Sequence, residues 1–258
     1  FLKLNRLATD GSTGGLPLEG GKTSFPVWNT FQESRTRGRP LPPRSAAFSP
    51  DGKWVYATGY YLVTGAWGSV KRWSYAVLRS EYGADADAKL FAGSEKEDGF
   101  GSGENQFRFP TSVACDAQGR VYVSDYMNDR IEIFSPEGKF LASLPTAKPV
   151  KVELDPRTGE LWVFSWLLGN YFWLPLCEKL KAEGKPAPTV ESKLTRYAPF
   201  GNLKELASHA LPLPKQDLGW WMGPRPIPRK DAFFEAVVDF GAQEPRVWIF
   251  HGRNPMGR

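Results

Sequence analysis

Thr111-Ser112-Val113-Ala114-Cys115-Asp116, then Ala117-Gln118-Gly119, then Arg120-Val121-Tyr122-Val123-Ser124-Asp125: the reading of this stretch decides the fold. Apolar residues run along both flanks of a short turn that ends in glycine. Val and Tyr supply the β-branched and aromatic side chains that suit a pleated strand. Two such runs joined by so tight a turn make a β-hairpin. The pattern recurs from Ser45 to Gly52 leading to Trp54-Val55-Tyr56, and from Val150 to Gly159 leading to Leu161-Trp162-Val163. It returns from Phe233 to Gly241 leading to Val247-Trp248-Ile249.

Further hairpins follow. Ile131-Glu132-Ile133-Phe134 turns at Ser135-Pro136-Glu137-Gly138 into Lys139-Phe140-Leu141-Ala142, and Leu194-Thr195-Arg196-Tyr197 turns at Ala198-Pro199-Phe200-Gly201 into Asn202-Leu203-Lys204. In the first repeat, Val70–Tyr75 is expected as the third strand and Lys89–Ala92 as the fourth. Four antiparallel strands repeated at about forty residues are the blade of a β-propeller. The expected fold class is therefore all-β, with blades at about 44–93, 108–145 and 149–209 and an incomplete one at 232–258. Insertions are expected at 10–43, 168–193 and 211–231 of a single partial propeller domain.

Composition agrees. The 258 residues are 41% hydrophobic and 24% charged, with 26 Gly, 22 Pro, 10 Trp, 9 Tyr and 17 Phe. That is an ordinary globular balance rich in turn formers and large flat side chains. A net charge of +5 is too mild to imply nucleic acid. No apolar run approaches the roughly 18 residues of a membrane-spanning helix. Cys115 and Cys177 are too few for a disulfide framework or a cysteine zinc site.

Residues 100–144 carry a denser motif: Phe100-Gly101-Ser102-Gly103, Phe107-Arg108-Phe109-Pro110, Gly119-Arg120-Val121-Tyr122-Val123-Ser124-Asp125 and Asn128-Asp129-Arg130-Ile131. This resembles the NHL repeat, with its glycine-rich lead, Phe-x-x-Pro, Gly-x-aromatic-Val-x-Asp and Asn-x-Arg. Elsewhere the motif thins, with Thr58, Ser165 and His251 in the column of Asp125. The resemblance implies a six-bladed, TolB-like propeller, of which this sequence holds about three and a half blades. It implies that the missing blades are supplied by the rest of a longer chain. By fold analogy it also implies an extracellular or periplasmic location.

Propeller blades have two ends. The turns after the first and third strands are minimal here, whereas Asp10–Pro43, Thr58–Ser69, Leu168–Lys193 and Leu211–Asp231 all fall at the other end. Long loops on a rigid scaffold are where binding groups reside. Trp166 and Trp173, in the lead-in to the third of these segments, and Trp221, in the fourth, are stacking candidates. Asp125, Lys151, Glu235 and His251 are polar candidates near the same end. Asp125, Asn128 and Asp129 carry oxygens suited to calcium. The plainer reading is that Asp125 and Arg130 lock a turn by hydrogen bonds. With two histidines in the chain, His209 and His251, a three-histidine zinc site cannot be built, and no Gly-x-Ser-x-Gly elbow anchors a serine triad.

The expected function is accordingly a non-catalytic module that recognises protein or glycan through the insertion-bearing end, without a cofactor. The alternative is a calcium-dependent, lactonase-like hydrolase or a lyase with its site at the central channel.

Overall fold

The computed structural model describes residues 39–40, 45–58, 61–63, 70–73, 75–84, 88–94, 96, 99–168, 183–184, 190–213 and 232–253. The chain divides into two units, Phe1–Thr146 and Ala147–Arg258.

The first unit contains, in chain order, β1 (Arg39–Pro40), β2 (Ser45–Phe48), β3 (Trp54–Thr58), β4 (Tyr61–Val63), β5 (Val70–Trp73), β6 (Tyr75–Glu81) and β7 (Lys89–Ser94). It continues with β8 (Pro110–Cys115), β9 (Val121–Asp125), β10 (Arg130–Phe134) and β11 (Phe140–Pro145). Hydrogen bonds arrange these as one four-stranded sheet β2-β3-β6-β7, a second β8-β9-β10-β11, and a three-stranded sheet β1-β4-β5. In the second unit, β12 (Pro149–Leu154), β13 (Leu161–Ser165), β14 (Lys193–Tyr197) and β15 (Glu205–Ala210) form a third four-stranded sheet. There β16 (Ala232–Asp239) and β17 (Arg246–Arg253) pair as a hairpin. The fold is all-β, and its four-stranded antiparallel sheets are blades of propeller type.

One expected strand is corrected. The third strand of the first blade is β6, whose residues pair with β3 from Trp54↔Glu81 to Ala57↔Leu78. Val70–Trp73 pairs instead with Tyr61–Val63 in the small separate sheet. Both segments have strand character. Only β6 offers three consecutive apolar residues, Ala76, Val77 and Leu78, all fully buried, which a strand covered on both faces requires. The alternating stretch Phe1–Leu7 and the segment 10–38 lie outside the described residues.

The hairpin turns owe their repetition to one device. Asp116, at the end of β8, accepts the backbone N–H groups of Gln118 and Arg120, each at 2.9 Å, and the Tyr122 hydroxyl at 2.8 Å. Asp155 accepts the Arg157 N–H in the same way, and Ser49 Oγ accepts that of Trp54 at 2.8 Å. A short acceptor side chain thus replaces the backbone partners that a tight turn leaves unmet. Gly119 completes the Asp116 turn at φ 79°, in the region that penalises a Cβ.

Between the two blades of the first unit, Tyr56, Val77 and Ala92 pack against Phe107, Val113, Val121, Val123 and Phe134. The rings meet edge to face, with Tyr56–Phe91 at 4.8 Å and Phe107–Phe134 at 5.9 Å between centroids. Ser45 Oγ accepts the Val113 N–H at 3.0 Å, tying the first strands of adjacent blades together. Arg79 spans the same junction. It lies over Trp54 and donates to the Pro136 carbonyl at 3.0 Å.

Candidate recognition end

In each blade the connections after the first and third strands lie at one end and those after the second and before the first at the other. In the first unit the turns 49–53, 116–120 and 135–139 share an end, while the β9–β10 connection 126–129 and the described residues 99–109 lie at the other. In the second unit the turns 155–160, 198–204 and 240–245 share an end, and β13 ends and β14 begins at the opposite one. An antiparallel meander forces this grouping, because successive connections alternate ends.

Residues 99–109 lead into β8. Asp125, at the end of β9, has no exposed surface. Its Oδ1 accepts the Arg108 N–H at 2.7 Å, and its Oδ2 accepts Asn128 Nδ2 at 2.7 Å and Arg130 Nε at 2.9 Å. Asn128 also donates to the Gly101 carbonyl at 2.7 Å. Arg130 donates to three further carbonyls: Ser102 at 2.9 Å, Gly103 at 2.9 Å and Gln106 at 2.7 Å. The Asp, Asn and Arg of the repeat motif are therefore a clasp that pins residues 101–108 to the blade. Asp125, proposed from sequence as a ligand group, spends its oxygens inside the protein.

Glu132, two residues along β10, is equally buried and lies 3.0 Å from Arg130 Nη2. Both N–H groups of Nη2 point at Gly103 and Gln106, so Glu132 receives charge from Arg130 but no aligned hydrogen. Burial pushes its carboxyl up to about 7, opposed by Arg130 and reinforced by the charge of Asp125. Burial likewise raises Asp125 to about 6, against the pull of Asn128, the Arg108 N–H and Arg130.

A pH dependence follows. In the unfolded chain Glu132 titrates near 4.5 and in the fold near 7. Between those values the unfolded state releases its proton first, so stability present below about pH 4.5 is lost as pH rises through about 7. Asp125 acts in the same direction. Glu132→Gln, which is neutral at every pH, is expected to stabilise the protein at about pH 8 by on the order of 2 kcal/mol and to flatten this slope. Urea unfolding across pH checks it; a mutant with the wild-type slope would show that Glu132 is charged in both states.

The clasp presents a surface. Phe107 is fully buried and Phe109 nearly so, while Arg108 between them is exposed. Phe109 holds φ 68°, a strained value for an aromatic residue, and its burial against Tyr126 at 6.1 Å keeps it there. Phe100 is 46% exposed, with the Arg108 guanidinium 5.2 Å above its ring and Tyr75 at 5.4 Å. An exposed aromatic flanked by a cation and a second ring is able to stack on a sugar ring or anchor a protein contact. In the sequence Phe100 and Arg108 stand only as letters of the motif. The alternation Phe107-Arg108-Phe109 is the signal for Arg108, and Phe100 carries none.

The other expected residues are placed as follows. Trp166 is 2% exposed and packs on Phe164 at 6.2 Å, so its ring is part of the interior. Lys151 donates to the Ala236 carbonyl and pairs with Glu153, both at 2.6 Å, joining β12 to β16. Glu235 is exposed on β16. His251 lies on β17 opposite Phe234, with its side chain outside the described set. Trp173 and Trp221 also lie outside the described residues. Among the described residues no three His, Cys, Asp or Glu side chains gather as a metal site, and no helix is long and apolar enough to cross a membrane. Burial pushes the Cys115 thiol up to about 12, far from reactivity.

No family model matches the chain. Among solved structures it is similar to a hydrazine synthase from Kuenenia stuttgartiensis, at 12% identity and a TM-score of 0.38 over 66% of this chain and 49% of that one. It is similar to a chain of a nidogen/laminin complex at 18% identity and a TM-score of 0.39, again over 66% and 49%. A gluconolactonase from Xanthomonas campestris matches at 21% identity and a TM-score of 0.32, over 47% of this chain and 34% of that one. The matched region spans about half the length of the first two and a third of the last.

Proposed function

We propose that this protein is a binding module, a propeller-type scaffold that recognises protein or glycan at the end of its blades bearing the long connections. The observation that carries this reading is the clasped 101–108 segment. Three N–H bonds from Arg130, with one from Asn128 and one accepted by Asp125, hold that connection beside exposed Phe100 and Arg108 and half-buried Tyr75. Holding an aromatic–cationic surface in place lowers the ordering cost of binding, which is what a recognition surface requires. Lys151, Glu235, His251, Trp173 and Trp221 remain proposed contacts of the same module. Asp125 and Trp166 enter it as supports from within. No cofactor is part of this reading. The 100–144 motif supports an NHL-type, six-bladed assignment completed by further blades, and extracellular or periplasmic placement goes with it by analogy of fold.

Glycan and protein arrays probed with the whole chain are the first test. Phe100→Ala is expected to weaken the bound ligand about 5- to 150-fold, the equivalent of removing a stacked ring, with the urea midpoint unchanged. Binding indifferent to both Phe100→Ala and Arg108→Ala, or turnover of a small substrate with no array binding, would overturn the assignment.

A further inference from the structure

The last hairpin presents an apolar face that its counterparts in the other repeats keep covered. In each repeat the first strand's last apolar residue pairs with the start of the second strand: Phe48↔Val55, Cys115↔Val121, Leu154↔Leu161 and Val238↔Val247. The next residue along each second strand is aromatic: Tyr56, Tyr122, Trp162 and Trp248. The first three are 1%, 1% and 7% exposed, whereas Trp248 is 53% exposed. Val237, directly across from Trp248, is 44% exposed, and Phe250 on the same face is 54% exposed. The opposite face of the hairpin, with Phe234, Ala236 and Val238, is already buried.

Where the cover of this aromatic column is described, the following repeat supplies it. Tyr56 packs against Val113, Val121, Val123 and two phenylalanines of the next blade, and Trp162 meets Phe240 of the next hairpin edge to face at 5.5 Å. Trp248 is the same position one repeat further on, so its face continues an interface that the protein uses twice. We propose that the Val237–Trp248–Phe250 face docks the valine-lined side of one further antiparallel β-blade, of the kind that Val113, Val121 and Val123 turn toward Tyr56. The exposed Glu235, Asp239 and Arg246 form its polar rim and disfavour a purely lipid-like occupant. A flat face with a central tryptophan favours a sheet, whose side chains stand at matching spacing.

The test titrates the whole chain with a cyclised hairpin peptide of residues 110–125, carrying serine in place of its cysteine and shown by NMR to be folded beforehand. Saturable binding is expected. It should fall at least about tenfold in Trp248→Glu and in Val237→Glu, which lie on an exposed face and should leave the urea midpoint in place. A hairpin with its three valines replaced by threonine should not bind. The proposal fails if the folded hairpin does not bind at millimolar concentration, or binds Trp248→Glu equally well. It also fails if sedimentation shows a dimer that Trp248→Glu dissociates, which would make a second copy the occupant.

Discussion

Arg130→Ala is expected to destabilise the first unit by about 3–5 kcal/mol, the cost of stripping a buried ion pair of one partner. The guanidinium is the only cation among the described residues that contacts both Asp125 and Glu132, at 2.9 and 3.0 Å, and neither carboxylate has exposed surface. Its removal leaves both acids in low dielectric and releases the carbonyls of Ser102, Gly103 and Gln106. Both carboxyls should then move further up, so the loss should be larger at about pH 8 than at about pH 5. The double change Arg130→Met with Glu132→Gln should recover part of it, since one buried charge is gone. Equilibrium urea unfolding at two pH values measures this. A single mutant within about 0.5 kcal/mol of wild type would show that the clasp does not carry the blade.

Gly93→Ala is the second large effect. Gly93 lies in β7 with φ 83°, and a Cβ there would sit 2.1 Å from the Tyr75 carbonyl oxygen and 2.6 Å from the Phe107 ring. The first obstacle is backbone of the neighbouring strand and cannot rotate away. The second is a core ring with no exposed surface. A methyl group must therefore separate β6 from β7 or expel Phe107, at a cost of about 3 kcal/mol or more from overpacking together with the strained φ. The Gly93 N–H also donates to Asn105 Oδ1 at 2.7 Å, so the damage should reach the clasped segment. Hydrogen exchange at residues 101–108 reads that coupling. An alanine variant with wild-type stability and protection would show that the β6–β7 pair yields freely.

The hairpins were legible before any coordinates because their information is local. Alternation, an Asp or Ser acceptor before the turn and a glycine within it act over fewer than ten residues, and the fold uses them where they stand. The third strand of the first blade was not legible. Val70–Trp73 and Tyr75–Glu81 are both good strands, and the choice between them lies in which can be buried on two faces. Trp166 shows the same limit in a side chain. A tryptophan in an aromatic run reads as a surface platform, yet this one is spent against Phe164.

The chemistry divides along the same line. Sequence alone determined that strands repeat in fours and that Asp125, Asn128 and Arg130 belong to one motif. Tertiary structure alone decided what those residues do. Burial turned Asp125 from a ligand candidate into an anchor, left Glu132 beside an Nη2 whose two hydrogens go to Gly103 and Gln106, and brought Tyr75 to Phe100 across 25 residues of chain. Desolvation and packing depend on what the whole chain places around a group, and no window of neighbouring residues contains that information.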